Sequence, residues 1–98
     1  MHARVAIYQF KPGTVDAATK KAEAGLVPIY RKHAGFESYE VVVVGKDRVI
    51  SVTNWQSEGQ ALEAAKAAGA WVKENLGDSV VSLETHIGKV AFSNRAGK

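Results

Sequence analysis

The sequence contains no cysteine, which excludes disulfides, thiol nucleophiles and thiolate metal sites together. It has two prolines and no apolar run approaching the roughly 20 residues that span a bilayer. Met1-His2-Ala3-Arg4 leads straight into a short alternating segment, without the longer apolar core of a secretory leader. Neither sign of charge dominates, because 13 basic and 10 acidic residues are interleaved and leave a net +3. The densest basic clusters, Lys20-Lys21 and Arg31-Lys32-His33, have Asp16, Glu23 and Glu37 nearby. A nucleic-acid binder would instead gather its cations on one element with aromatics between them. The expectation is a soluble cytoplasmic protein with neither nucleic acid nor membrane as a partner.

Catalytic and ligand motifs are also sparse. Gly45, Gly59, Gly69 and Gly77 stand too far apart to cradle a phosphate, and no serine occupies a Gly-x-Ser-x-Gly setting. His2, His33 and His86 have no metal-ligand spacing, so no metal is expected.

What the sequence does hold is regular patterning. At 98 residues it suffices for one domain, taken here as residues 1–98 with a polar tail over 93–98. Ala3 to Phe10 alternates, with Val5, Ile7 and Gln9 on one side and Ala6, Tyr8 and Phe10 on the other, which predicts a strand. Lys11-Pro12-Gly13 ends it. Thr14 is an expected N-cap for a helix whose stripe is Val15, Ala18, Ala22 and Leu26. Pro28 lacks an amide donor and crowds the Ala24 carbonyl, so a kink or break is expected before a further turn through about Lys32.

Phe36 to Gly45 and Arg48 to Trp55 read as an antiparallel hairpin. Ser57 with Gln60 has the pattern of a capping box and opens a second helix with an expected stripe of Leu62, Ala65, Gly69, Val72 and Leu76. Val80 to Phe92 is the predicted last strand, with a bend at Gly88. The order is strand-helix-strand-strand-helix-strand, an α+β chain with both helices on one face of the sheet.

That leaves the other face without cover. Val41-Val42-Val43-Val44 and Val49, Ile50 and Val52 place apolar residues on both sides, and Val80, Val81, Leu83 and Ile87 are expected to continue the pattern. An uncovered apolar area of about 500 Å² would be unusual for a monomer. Its burial offers on the order of 10 kcal/mol as an upper estimate, enough to favour a homodimer through the sheet face after association costs.

Three segments carry a resemblance. They are Arg4-Val5-Ala6-Ile7-Tyr8-Gln9-Phe10 with Lys11-Pro12-Gly13, then His33-Ala34-Gly35-Phe36-Glu37-Ser38-Tyr39, then Asn54-Trp55-Gln56-Ser57-Glu58-Gly59-Gln60-Ala61-Leu62. Together they resemble the antibiotic-biosynthesis-monooxygenase-like family of dimeric α/β barrels over about residues 3–92. The resemblance implies a ferredoxin-like βαββαβ subunit with a four-stranded antiparallel sheet. It also implies a dimeric barrel, and a small-molecule pocket between each sheet and its helices. It further implies a cofactor-independent monooxygenase of a small apolar aromatic molecule such as a phenol, anthrone or quinol. The alternative is a non-catalytic dimeric binding or interaction module.

Oxygenation without metal or flavin needs an apolar cavity for a ring and groups that favour its phenolate or enolate. Asn54, Trp55 and Tyr8 are the catalytic candidates: Asn54 to hydrogen-bond a substrate oxygen, Trp55 to pack against a ring, and Tyr8 to present a hydroxyl. Trp71, His33 and His86 are the substrate-binding candidates. Each has a plainer role to set beside this one. Trp55 and Tyr8 suit the core, Asn54 the backbone of the junction, and Trp71 a wedge between helices. His33 suits the negative end of a helix dipole, and His86 a sheet interface. The haem-degrading branch of the family does not fit. Its first-strand Asn is replaced by Tyr8-Gln9, and its helical Trp and His fall on Ala64 and Glu74.

Dimerisation has a direct check. Sedimentation at micromolar concentration is expected to give about twice the 10.5 kDa of one chain, and a stable mass near 10.5 kDa contradicts the pairing.

Overall fold

The computed structural model describes residues 1–97. Its elements, in chain order, are β1 (His2–Phe10), α1 (Val15–Lys32), β2 (Phe36–Val44), β3 (Arg48–Trp55), α2 (Glu58–Leu76) and β4 (Val80–Lys89). All strand pairs are antiparallel, in the order β2-β3-β1-β4. This is the ferredoxin-like βαββαβ subunit. Of the expected polar tail, Lys98 lies outside the described residues.

The alternation of β1 decides the layering. Arg4, Ala6, Tyr8 and Phe10 are buried toward the helices, while Val5, Ile7 and Gln9 face the other way. On β3, Val49, Ser51, Thr53 and Trp55 take the helix side, and Ile50, Val52 and Asn54 the free side. α2 lies over β1, β3 and β4, whereas α1 packs on α2 and β2. No described helix is long and apolar enough to cross a membrane.

Two bulges adjust this alternation. Phe36 opposes Trp55 and Ser38 opposes Asn54, so Glu37 is an extra, unpaired residue of β2. Phe36 and Tyr39, three positions apart, therefore both face the helices. On β4 the register shifts between the pairs Gln9–Ser82 and Phe10–Val80, leaving Val81 unpaired and 61% exposed. The expected bend at Gly88 gives way to this one, and β4 ends at Lys89, short of Phe92.

Several local expectations need correction. α1 runs unbroken through Pro28, because Tyr30 beyond it is buried against the sheet aromatics and holds the last turn in place. Thr14 starts the helix, but its hydroxyl donates back to the Lys11 carbonyl at 2.8 Å instead of capping an amide. Ser57 does cap, accepting from the Gln60 N–H at 3.2 Å. The buried stripe of α2 is Ala61, Ala64, Ala68, Val72 and Leu76, and Leu62 is 46% exposed. Alanines on that face let the helix lie close to the strands, and the added contact outweighs the burial of a single leucine. Finally, Leu83 and Ile87 share the helix side with their partners Tyr8 and Arg4. The free side of β4 is polar, with Ser82, Glu84 and His86 in register with Gln9, Ile7 and Val5.

Two glycines are fixed by contact. Gly35 has φ +84, and a Cβ there would overlap the Gln60 side chain, so the connection into β2 accepts no larger residue without strain. The Gly35 carbonyl also accepts from the Gln56 N–H at 3.0 Å, which ties the two loops together. At Gly25 of α1 a Cβ would overlap the indole of Trp71, so this ring wedges α2 against α1.

The wedge predicts a sign reversal. Gly25→Ala is expected to destabilise the chain by about 1–2 kcal/mol, overpacking outweighing the better helix propensity. In a Trp71→Ala background the same substitution is expected to stabilise by roughly 0.5–1 kcal/mol. Urea denaturation of the four proteins checks it.

Candidate functional site

Opposed residues of neighbouring strands share a face, so the register draws rows across the helix side of the sheet. One row is Phe36–Trp55–His2. The next is Tyr39–Thr53–Arg4–Ile87, and another is Val43–Val49–Tyr8–Leu83. Tyr30 of α1 caps the first two. Its ring lies 4.8 Å from that of Tyr39 and 5.8 Å from that of Trp55, edge-on in both cases. Phe36 stands 5.4 Å from Trp55, and His33 6.5 Å. Trp55 is thus the centre of an aromatic cluster and is fully buried.

An apolar recess opens between the sheet and the helices, lined by Tyr8, Phe10 and Tyr39 among the aromatics and by Leu26, Val49 and Val72 among the aliphatics. Its volume is about 20 Å³, room for a single water and not for a ring. It adjoins a larger open groove of about 340 Å³, where Thr19, Lys20, Glu23 and Val27 of α1 face Tyr39, Val41 and Val43 of the edge strand β2. Thr19, Tyr39 and Val41 line both. The two spaces form one cleft between α1 and β2, with Tyr39 at its waist and Tyr8 at its floor. The recess is apolar, and the groove adds the charged Lys20 and Glu23 to its valines, a mixed lining that suits a small, largely apolar molecule with a polar substituent.

The tyrosines are held as donors. Burial pushes the Tyr30 hydroxyl up to about 12, with Arg4 opposing the rise. Burial also raises Tyr8 against the opposing Arg4, and it raises Tyr39, with Tyr30 and Tyr8 adding to the effect. At neutral pH all three keep their protons and none serves as a general base.

The six sequence candidates do not meet in one cavity. Tyr8 lies at the floor of the cleft. Trp55 and His33 belong to the aromatic cluster, and His33 also borders an open depression with Ser57, Gln60 and Glu63. Trp71 lies between the helices. Asn54 points to the free face, where its Nδ2 donates to Ser38 Oγ at 2.8 Å. His86 is also on that face, exposed and paired with Glu84. Sequence reasoning passed over Tyr39, Tyr30 and Arg4. For Arg4 a signal existed, because it keeps the phase of Ala6, Tyr8 and Phe10.

The sequence profile described as antibiotic biosynthesis monooxygenase matches residues 1–73, three quarters of the chain. The chain belongs to this family. No curated protein matches it. Among solved structures, it is similar to a monooxygenase from the gene ActVA-Orf6 of Streptomyces coelicolor, in complex with nanaomycin D. That match has TM-score 0.78 and 16% identity, covering 98% of this chain and 92% of the other. SnoaB, a cofactor-independent oxygenase from Streptomyces nogalater, matches with TM-score 0.75 and 10% identity over 94% of each chain. A protein of unknown function from Nitrosomonas europaea matches with TM-score 0.78 and 15% identity, covering 99% and 95%. At such identities the likeness speaks for the antibiotic biosynthesis monooxygenase fold alone.

The raised tyrosines link stability to pH. An unfolded tyrosine ionises near 10.0, whereas Tyr30 in the fold does so only near 12. The unfolded chain therefore releases its proton first, and stability falls as pH rises from about 10 to about 12. Urea midpoints over that window are expected to drop, with a shallower fall for Tyr30→Phe.

Proposed function

We propose that this member of the antibiotic biosynthesis monooxygenase family is a cofactor-independent monooxygenase. Its substrate would be a small aromatic molecule with an ionisable hydroxyl or enol, such as a phenol, anthrone or quinol, bound in the α1–β2 cleft. The observation that carries the reading is the pair of buried Tyr8 and half-buried Tyr39, hydroxyls that stay protonated where an apolar recess meets the open groove. Two similar folds belong to proteins described as a monooxygenase and a cofactor-independent oxygenase, which supports the choice of chemistry.

For an anthrone the electron count closes without a cofactor. The methylene carbon loses a proton, and the enolate that forms is held by hydroxyl donors. Its carbon passes electrons to dioxygen as a carbon–oxygen bond forms. The resulting peroxide takes up a proton; the carbon then gives up its second proton, the C–H electron pair forms the carbonyl, and the O–O bond breaks with loss of water. One oxygen atom ends in the new carbonyl and the other in the water, with dioxygen as the oxidant. The tyrosines cannot be the base, so the substrate's own acidity supplies the anion and turnover is expected to rise with pH until it is ionised.

In this reading Tyr39 touches the substrate in the groove, and Tyr8 lies beyond it at the floor of the narrow recess. Asn54 belongs to the free face, where Val5, Ile7, Val42, Val44, Ile50 and Val52 form an apolar field. A homodimer through that face is part of the proposal, and the absence of helices over the field supports it. The tight interior around Trp55 favours a second reading, in which the protein is a dimeric binding module without catalysis.

Dioxygen uptake with a panel of anthrones and hydroquinones separates the two. Wild type is expected to exceed the buffer rate, and Tyr39→Phe is expected to lower kcat/KM by roughly a hundredfold. Asn54→Ala should leave most of the rate if the cleft is the site. Background uptake by all three proteins would leave the binding module standing.

A further inference from the structure

The face of the sheet away from the helices carries its charge only around the rim. The register draws four rows across it: Ser38–Asn54–Ala3–Gly88, Glu40–Val52–Val5–His86, Val42–Ile50–Ile7–Glu84 and Val44–Arg48–Gln9–Ser82. Val5, Ile7, Ile50 and Val52 make the centre apolar. The charged or titratable groups in these rows are Glu40, Arg48, Glu84 and His86. His86 pairs with Glu84 of its own strand, and both side chains are more than half exposed. Glu40, on the opposite edge, is exposed too, and among the described residues no cation pairs with it. Lys89 of β4 is in register with His2 on the helix side and does not share this face. One row therefore ends in an unpaired carboxylate at β2 and in an imidazole at β4.

Such a row is complementary to its own reverse. Two sheets packed face to face keep their strand directions within about 30°, and a closed homodimer has a two-fold axis. That axis lies between the sheets, either along the strands or across them. Along the strands, each row meets itself reversed. Val52 then lies over the partner's Val5 and Ile50 over the partner's Ile7, while Glu40 lies over the partner's His86. The partner's Glu84 is one row on. Arg48 is two rows from Glu40, roughly 14 Å along the strands and beyond the reach of a screened charge. An axis across the strands instead sets β2 over the same strand of the second copy. Glu40 then meets either the partner's Glu40 or the partner's Val42, a carboxylate covered without a cation, which is costly. Only the first arrangement gives Glu40 the cation it lacks.

We propose that the free face pairs with a second copy about an axis along the strands, with Glu40 closing on the partner's His86 at both edges, and that protonation of His86 tightens the pair. This rests on the face-to-face homodimer argued above and adds its geometry and its control. Protonated His86 stands between two carboxylates, Glu84 beside it and the partner's Glu40 across the seam. Neutral His86 leaves those two carboxylates facing each other. The imidazole therefore holds its proton more tightly in the dimer than in the free protomer. Dimerisation takes up protons, so it strengthens as pH falls and weakens as pH rises. Histidines in solution change charge near pH 6.5 and glutamates near 4.3, which places the response between about pH 8 and about pH 5.

Dimer dissociation constants from sedimentation at about pH 8 and about pH 6, at physiological ionic strength, test this. An exposed charge pair contributes at most a few-fold, so two such contacts are expected to tighten the dimer about tenfold at the lower pH. The net charge of +3 grows as pH falls and by itself weakens association, so the expected sign is opposite to the general one. His86→Gln is expected to abolish the response and Glu40→Gln to reduce it to about threefold. Both side chains are exposed, so the fold tolerates either change. Glu40→Lys is expected to weaken the dimer, and Glu40→Lys with His86→Glu to restore it without a pH response. A dimer whose affinity ignores pH would overturn the inference and leave the face-to-face pairing standing, as would a response that survives His86→Gln. Tightening by Glu40→Gln would overturn it too, since that is the mark of an axis across the strands. The mass of a single chain at every pH would remove the homodimer itself and this inference with it.

Discussion

Two helices can cover one face of a four-stranded sheet and little more, and this constraint organises the rest of the molecule. α2 takes the centre of the sheet, over β1, β3 and β4. α1 is left with the flank of α2 and the edge strand β2, which it does not close over. The cleft is the gap that remains. Val41 and Val43 are 38% and 51% exposed along it although they point to the helix side. The same shortage of cover leaves Val5, Ile7, Ile50 and Val52 on the far face. Groove and apolar field therefore have one cause.

Much of this was legible in the residues because strands and helices impose different periods. The alternation of Val5, Ile7 and Gln9 against Ala6, Tyr8 and Phe10 survives intact in β1. β3 has the limits that the spacing of Arg48 to Trp55 predicts. The stripe of α1 holds as well, with Tyr30 added to it. The family resemblance rested on junctions with physical reasons behind them. Gly35 alone fits beside Gln60, and Ser57 caps the helix that Trp55 leads into.

What escaped the sequence were features of tertiary origin. A bulge at Glu37 leaves no mark in composition, yet it moves Tyr39 from the free face to the cleft. A period of two counted from Phe36 would have sent that tyrosine outward. The face of α2 was misjudged because leucine outweighs alanine in any single-residue scale, while the packed pair of layers rewards short side chains that let backbones approach. Asn54 and Trp55, adjacent in sequence, looked like partners in one site. Adjacent strand residues point to opposite faces, so that proximity was illusory. Arg4 was the converse case: its phase with Ala6 and Tyr8 announced burial, but a cation near a chain end reads as surface.

The alanines of α2 bear on how such a fold acquires new ligands. Ala61, Ala64 and Ala68 meet the sheet with little more than methyl groups, so they act as shims that set the height of one layer above the other. Trp71 against Gly25 fixes the lateral position of the helices, which leaves that height as the adjustable dimension. Thickening a shim by a few methylene groups would lift the helix and deepen the recess behind Tyr8 without touching a strand. Interior volume could then vary between relatives while strand order and register stayed constant, as expected of folds that superimpose at 10–16% identity.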